Sequence, residues 1–263
     1  MRTIPPSNCS VVLRHRLSEL LKEALKTEKG TALLYLLRSF ADVARGQGQA
    51  AVSRDALVKA ADRVFCDVGI AVAVPGALDE LLTTRLLRSM SQEGEQTRLA
   101  LGEELQTELS AATHRIEAYC LALESLSRRP RRSIGLVERA LEEAACLFNE
   151  GLFFEVHEVL EAVWLTEWDG VRRLLQGLIQ IAVGFHHLES NNPRGAISLL
   201  QEGVEKVKGY GPDRSGLELD RFLAQVENAR RSIESLGEEA FDRFDRQMIP
   251  QMQLLESTME QSE

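Results

Sequence analysis

Between Phe148 and Asn192 the chain gathers three of its five histidines, His157, His186 and His187, and both of its tryptophans, Trp164 and Trp168. The run FNEGLFFEVHEVLEAVWLTEW sets an imidazole at His157 among carboxylates at Glu155, Glu158 and Glu161. At about 100° per residue, His157, Glu161, Trp164 and Trp168 share one stripe of a helix expected over Phe153 to Trp168, on the face that should be buried. Glu155 and Glu158 sit progressively round toward the other side. An imidazole and a carboxylate one turn apart are donors that a divalent metal ion or a polar ligand can use. The next run, Val171 to Leu188, puts Gln176, Gln180 and His187 on one stripe, opposite Leu174, Leu178, Ile181, Phe185 and Leu188. Asp169-Gly170 supplies a short turn, so the two helices should be antiparallel neighbours with their polar stripes facing each other. Buried without partners, such groups would cost about 1 to 3 kcal/mol each, so they should satisfy one another, a water, a metal or a ligand.

Several segments recur in an order that carries a resemblance. F-N-x-G-x-F-F-E-x-H-E-x-L-E-x-x-W, then L-Q-G-L-I-Q-I-A, a closing histidine, N-P-x-G-A and L-L are similar to the bacterial domain-of-unknown-function 309 family. Those all-helical proteins are sometimes labelled predicted metal-dependent hydrolases. The resemblance runs from about Leu136 to Leu236 and includes Gly216-Leu217-Glu218-Leu219-Asp220. It implies that the family's histidine-glutamate pair falls on His157 and Glu158, its later carboxylate on Glu161 and its tryptophan on Trp164. Its two glutamines fall on Gln176 and Gln180 and its later histidine on His187. Asn191 stands where the family has glycine before Asn192, and asparagine is the residue other than glycine that best tolerates a left-handed backbone.

Two uses of this constellation compete. In one, His157, Glu161 and His187 hold a divalent metal, with Glu155 or Glu158 as general base for a bound water. In the other, the same groups form a hydrogen-bonded polar seam that fixes helix register, in a non-catalytic protein that binds a small ligand or serves regulation or assembly. The spacing is not H-E-x-x-H, and no nucleophile elbow or phosphate loop accompanies it, which favours the second use. Both tryptophans are expected in the core, and His186 points off the glutamine stripe.

The elements that must hold this constellation follow from the hydrophobic period. Ile134 to Glu150 reads as an amphipathic helix closed by Gly151, Pro193 opens a helix to about Lys208, and Leu217 to Leu236 forms another. An acidic, helical tail, 238–263, is broken at Pro250. Upstream, helices are expected over Val11 to Lys26 and Thr31 to Val43 with Gly30 between them, over Arg54 to Phe65 with Ser53 as N-cap, and from Pro75 to about Leu82. Arg85 to Met90 and Thr97 to Leu101 read as a hairpin around Gln92 to Glu95, and Gly102 to Leu105 starts another helix, with Arg115 to Leu126 again helical. This is a winged-helix order, although Asp79 and Glu80 on the recognition-helix position disfavour sequence-specific DNA binding and leave Arg85, Arg88 and Arg98 as the cations that could oppose that.

The fold class expected is therefore mainly α: a winged-helix-like domain over 1–127, a linker over 128–133 rich in arginine, an all-helical domain of about five helices over 134–237, and the tail. A net charge of -9 is unevenly spread, because the first 130 residues hold 17 Lys and Arg against 16 Asp and Glu. The excess acid of the remainder repels phosphates and disfavours that half as a nucleic-acid surface. No uncharged run approaches the roughly 20 residues of a membrane span, and the N-terminal residues lack a signal core, so a cytoplasmic protein is expected. Cys9, Cys66, Cys120 and Cys146 are scattered and form no metal or disulfide pattern. A small molecule, a protein contacting the N-terminal domain and a second copy of the chain remain the partners compatible with these features.

Overall fold

A computed structural model describes residues 10–90, 97–102, 108–129, 134–210, 216–237 and 239–255. Among them are ten α-helices and one three-stranded sheet, the mainly helical architecture expected from the sequence. The chain divides into two compact units between Cys120 and Leu121, inside the helix α5 (Leu109–Ser127). Residues 91–96, 103–107 and 130–133 lie outside the described residues, and with them the expected hairpin turn, the helix start at 103–105 and most of the arginine-rich linker.

In the N-terminal unit α2 (Glu28–Gln47) is buried on most of its circumference, from Ala32 through Leu37 to Phe40 and Ala44, and packs against α1 (Val11–Lys26), α3 (Arg54–Val68) and α4 (Val74–Thr83). Only Thr27 separates α1 from α2, and its hydroxyl caps α2 by accepting from Gly30 N at 2.9 Å. Gly30 is thus not a break between helices. It lies inside α2 where the chain crosses the end of α1, and a Cβ there would meet the Glu23 carbonyl oxygen at 2.5 Å. Ser53 does cap α3, accepting from Ala56 N at 3.2 Å. The hairpin of β2 (Leu87–Met90) and β3 (Arg98–Leu101) gains an unforeseen third strand, β1 (Ala51–Ser53), giving the order β1-β3-β2. Arg98 fastens it by donating to the Ala51 carbonyl at 2.6 Å. The acids of α4 are neutralised from distant sequence, Asp79 by Arg54 at 3.1 Å and Glu80 by Lys29 at 2.8 Å.

The C-terminal unit stacks α6 (Leu136–Asn149), α7 (Phe153–Trp164), α8 (Asp169–Glu189), α9 (Pro193–Val207) and α10 (Leu219–Leu236), each packed on the next. Phe148 anchors their core, its ring edge-on to Phe153, Phe185 and Phe222 at 5.0, 5.6 and 5.4 Å between centroids, a favourable quadrupole arrangement. Gly151 closes α6 in a left-handed conformation, and Asn191 takes the same role after α8 at φ 55. The α8–α9 contact is the tightest. A Cβ on Gly203 would lie 2.7 Å from the Gly177 carbonyl, and one on Gly184 2.8 Å from Leu200 Cγ.

Residues 239–255 do not continue as the α-helical tail that their acidic, amphipathic pattern suggests. Two 3-10 turns, Phe241–Arg243 and Arg246–Met248, lead into extended chain. The Asp245 carboxylate accepts from Gln247 N at 2.9 Å, a local bond that competes with the helix. Phe241, Phe244 and Met252 are buried, and the Asn149 amide grips the Met252 backbone twice, donating to its carbonyl at 2.9 Å and accepting from its N–H at 2.8 Å.

Candidate functional site

α7 ends at Trp164, where Arg172 of α8 seals it. The Arg172 guanidinium stacks 4.0 Å from the Trp164 ring centroid and donates to the Trp164 and Glu167 carbonyls, both at 3.1 Å. Four residues of the expected helix thereby become a turn, and Trp168 becomes the residue before α8. It is 79% exposed, not a core residue. The stripe of His157, Glu161 and Trp164 exists, but it is not the buried face. Val156, Val159, Leu160 and Val163 with Phe153 take the core side, whereas the His157 and Glu161 side chains are 27% and 45% exposed. Glu155, expected toward the far side, is 1% exposed among the apolar residues.

On the outward arc His157 sits between two carboxylates. Its Nε2 lies 3.4 Å from Glu161 Oε2, and its Nδ1 lies 3.9 Å from Glu158 Oε1. Among the described residues these three form a group able to hold a metal ion, with one donor atom from each inside 4.8 Å of the others. His187 is not in that group. The residue of α8 that reaches this face is His186, through Phe154, whose ring lies 6.2 Å from that of His157 and 5.9 Å from that of His186. His186 Nδ1 in turn lies 3.5 Å from Glu189 Oε2. Sequence reasoning set His186 aside because it lies off the glutamine stripe, and that stripe turns out to face α9.

There the polar residues find structural partners. Gln180 donates to Glu202 Oε2 and accepts from Lys206 Nζ, both at 2.8 Å, and Ser198 donates to Glu202 Oε1 at 3.1 Å. Gln176 is half-buried one turn earlier. Asn192 caps α9, its Oδ1 accepting from Gly195 N at 3.0 Å, and its Nδ2 faces His187 Nδ1 at 3.1 Å. With Oδ1 committed to a backbone N–H, the amide nitrogen must donate, so Nδ1 of His187 is the acceptor and the imidazole is neutral. Burial, and secondarily the neighbouring His186, push the His187 pKa down, in keeping with that tautomer. The signal that could have revealed this seam is the pair Gly177 and Gly184, seven residues apart on one helical face.

Clefts open elsewhere in this unit. One of about 470 Å³ runs between α9 and α10, where Arg230 and Arg231 hold the Glu227 carboxyl down to about 2. Another, of about 440 Å³, is lined by Asn191, Asn192, Pro193, Arg194 and Phe241. His157, Glu158 and Glu161 line neither. Cys66, Cys120 and Cys146 form no disulfide, and among the described residues no helix is long and apolar enough to cross a membrane.

Comparison with known proteins finds a family-model match over the stretch that holds the site. Residues 141–199, which hold α7, α8 and their polar groups, match the family model "Domain of unknown function (DUF309)". The chain is also 27% identical over 100 residues to an uncharacterized protein of Aquifex aeolicus (strain VF5), a match covering 37% of this chain and 30% of that protein. The chain thus spans under a third of that relative's length.

Proposed function

We propose that the C-terminal unit is a non-catalytic binding module of the regulatory or assembly kind, with the outward face of α7 and the α7–α8 turn as its contact surface. One observation carries this reading: the imidazole-carboxylate group stands half-exposed on a single helix, outside the clefts described. Hydrolysis at a metal needs a shaped site that excludes bulk water and fixes a substrate, whereas a recognition surface needs accessible anchors. Trp168 and Leu165, at 79% and 64% exposure, are such anchors, and tryptophan is enriched among residues that dominate interfaces. The test is turnover of ester, amide and phosphodiester substrates with zinc, manganese or magnesium added. The expected result is no more turnover than with His157→Ala; metal-dependent turnover that this substitution abolishes would overturn the reading.

The metal-dependent hydrolase reading draws on the geometry at His157. A separation of 3.4 Å between Nε2 and Glu161 Oε2 suits two neighbouring ligands of one ion with bonds of about 2.1 Å. Glu158 at Nδ1 would then orient the ring rather than bind, the arrangement that commonly stiffens a ligating histidine. The residues fit a divalent ion in that limited sense, with two ligands from one helix. His187 has its Nδ1 committed to Asn192 and Glu155 is in the core, so neither takes the ligand or base role this reading gives it, and Glu158 held at Nδ1 is turned away from an ion at Nε2.

A further inference from the structure

The α7–α8 turn leaves two large apolar side chains in water. Leu165 and Trp168 are both exposed, in a turn that Arg172 holds from behind by stacking on the Trp164 ring and donating to the Trp164 and Glu167 carbonyls. The pair is therefore presented on a fixed base. Apolar groups already held in place lose little conformational freedom when a partner covers them, which favours association.

The charges on either side of this pair decide what covers it. On α7, Glu161 stands one turn before Leu165, 45% exposed, and meets His157 at 3.4 Å but no lysine or arginine among the described residues. On α8, Arg173 lies about 100° round the helix from Arg172, on the side away from Trp164. It is exposed and pairs with no carboxylate among the described residues. One flank of the apolar pair is thus acidic and the other basic. A foreign surface of a single charge would be attracted at one flank and repelled at the other. A copy of the same face turned through 180° sets acid against base at both flanks, as an isologous contact requires.

Building on the α7–α8 turn as a contact surface, we propose that its partner is a second copy of the chain. Leu165 and Trp168 of two copies pack across a twofold axis, and Arg173 of each copy pairs with Glu161 of the other. The four apolar side chains cover only the centre of the roughly 1,200 Å² that a specific interface buries, so the dimer is a weak one, with a Kd on the order of 10 µM.

The experiment is analytical ultracentrifugation of the full chain over a concentration series reaching about 200 µM, well above that Kd. A reversible monomer–dimer equilibrium is expected, weakened about tenfold or more by Trp168→Glu, which buries an unpaired charge at the centre of the contact. Arg173→Glu and Glu161→Arg should each weaken it separately, because each sets like charges together at both flanks. An equal mixture of these two variants should dimerise again as a heterodimer, which also shows that both are folded. A chain that stays monomeric at the highest concentration overturns the proposal and leaves the face to a different protein; the non-catalytic reading then still stands, since it falls only to metal-dependent turnover. A dimer that Trp168→Glu does not weaken, or charge variants that do not recover on mixing, overturns it equally by placing the interface elsewhere.

Discussion

The two faces of α8 treat chemically similar residues in opposite ways. Toward α9, glycines bring the helices so close that Gln180, Glu202, Lys206, His187 and Asn192 must meet specific partners, and they do. Toward α7, His186 and Phe154 adjoin a group, His157 with Glu158 and Glu161, that lies open to water. A histidine in the first setting is a structural acceptor whose loss orphans a neighbour. In the second it is a surface group whose loss water repairs. Residue type alone does not separate a seam from a binding face; the closeness of the backbones behind it does.

The largest expected effect tests that closeness directly. Gly203→Ala would place a Cβ 2.7 Å from the Gly177 carbonyl and 3.0 Å from Ile181 N, and neither backbone atom can rotate away. Forcing the helices apart should cost about 2 to 3 kcal/mol, measured as a lowered urea midpoint. An unchanged midpoint would mean that the α8–α9 seam is loose and that the contrast between the two faces fails.

A smaller effect is expected at the corner of that seam. Asn192→Ala removes the cap of α9 and the donor to His187, and should cost about 1 to 2 kcal/mol at pH 7. The pH dependence has a definite sign. The folded pKa of His187 is depressed, so the unfolded chain binds the proton more readily. Its contribution is full above the unfolded value of about 6.5 and is lost as pH falls below that value through the lower folded pKa. Melting between pH 8 and pH 5 should therefore show a loss on the acid side that is reduced in His187→Gln. An acid loss of equal size in that variant would remove His187 as its source.

Local signals were readable from the sequence and distant ones were not. Ser53 announces α3 because a cap acts over three residues, and Asn191 could be assigned a left-handed backbone for the same local reason. β1 escaped because three residues with no periodicity become a strand only by pairing with Arg98 to Ala100, far along the chain. Gly30 looked like punctuation because its actual constraint, the end of α1, is tertiary. On α7 the polar stripe was legible, but Trp164 and Phe154 made the outward arc nearly as apolar as Val156 and Val163 made the inner one. The assignment of faces was therefore reversed. The choice of His187 over His186 followed from supposing that α8 turns its glutamines toward α7.

The smallest expected effect is the most discriminating, because it falls on the residue for which burial would have demanded a large one. The His157 side chain is 27% exposed and its carboxylate neighbour Glu161 45% exposed, and pairs in such settings contribute little once water screens them. His157→Ala should then change stability by no more than about 0.5 kcal/mol in metal-free buffer, since truncation leaves no buried group without a partner. A chelator should not shift the wild-type melting temperature. A loss of about 2 kcal/mol without metal would place His157 in a seam like that of Gln180, and the contrast between the faces would collapse. A chelator shift seen in the wild type and absent from His157→Ala would instead show an ion bound to the folded state and stabilising it by mass action, leaving the contrast intact but making the open face of α7 a metal site.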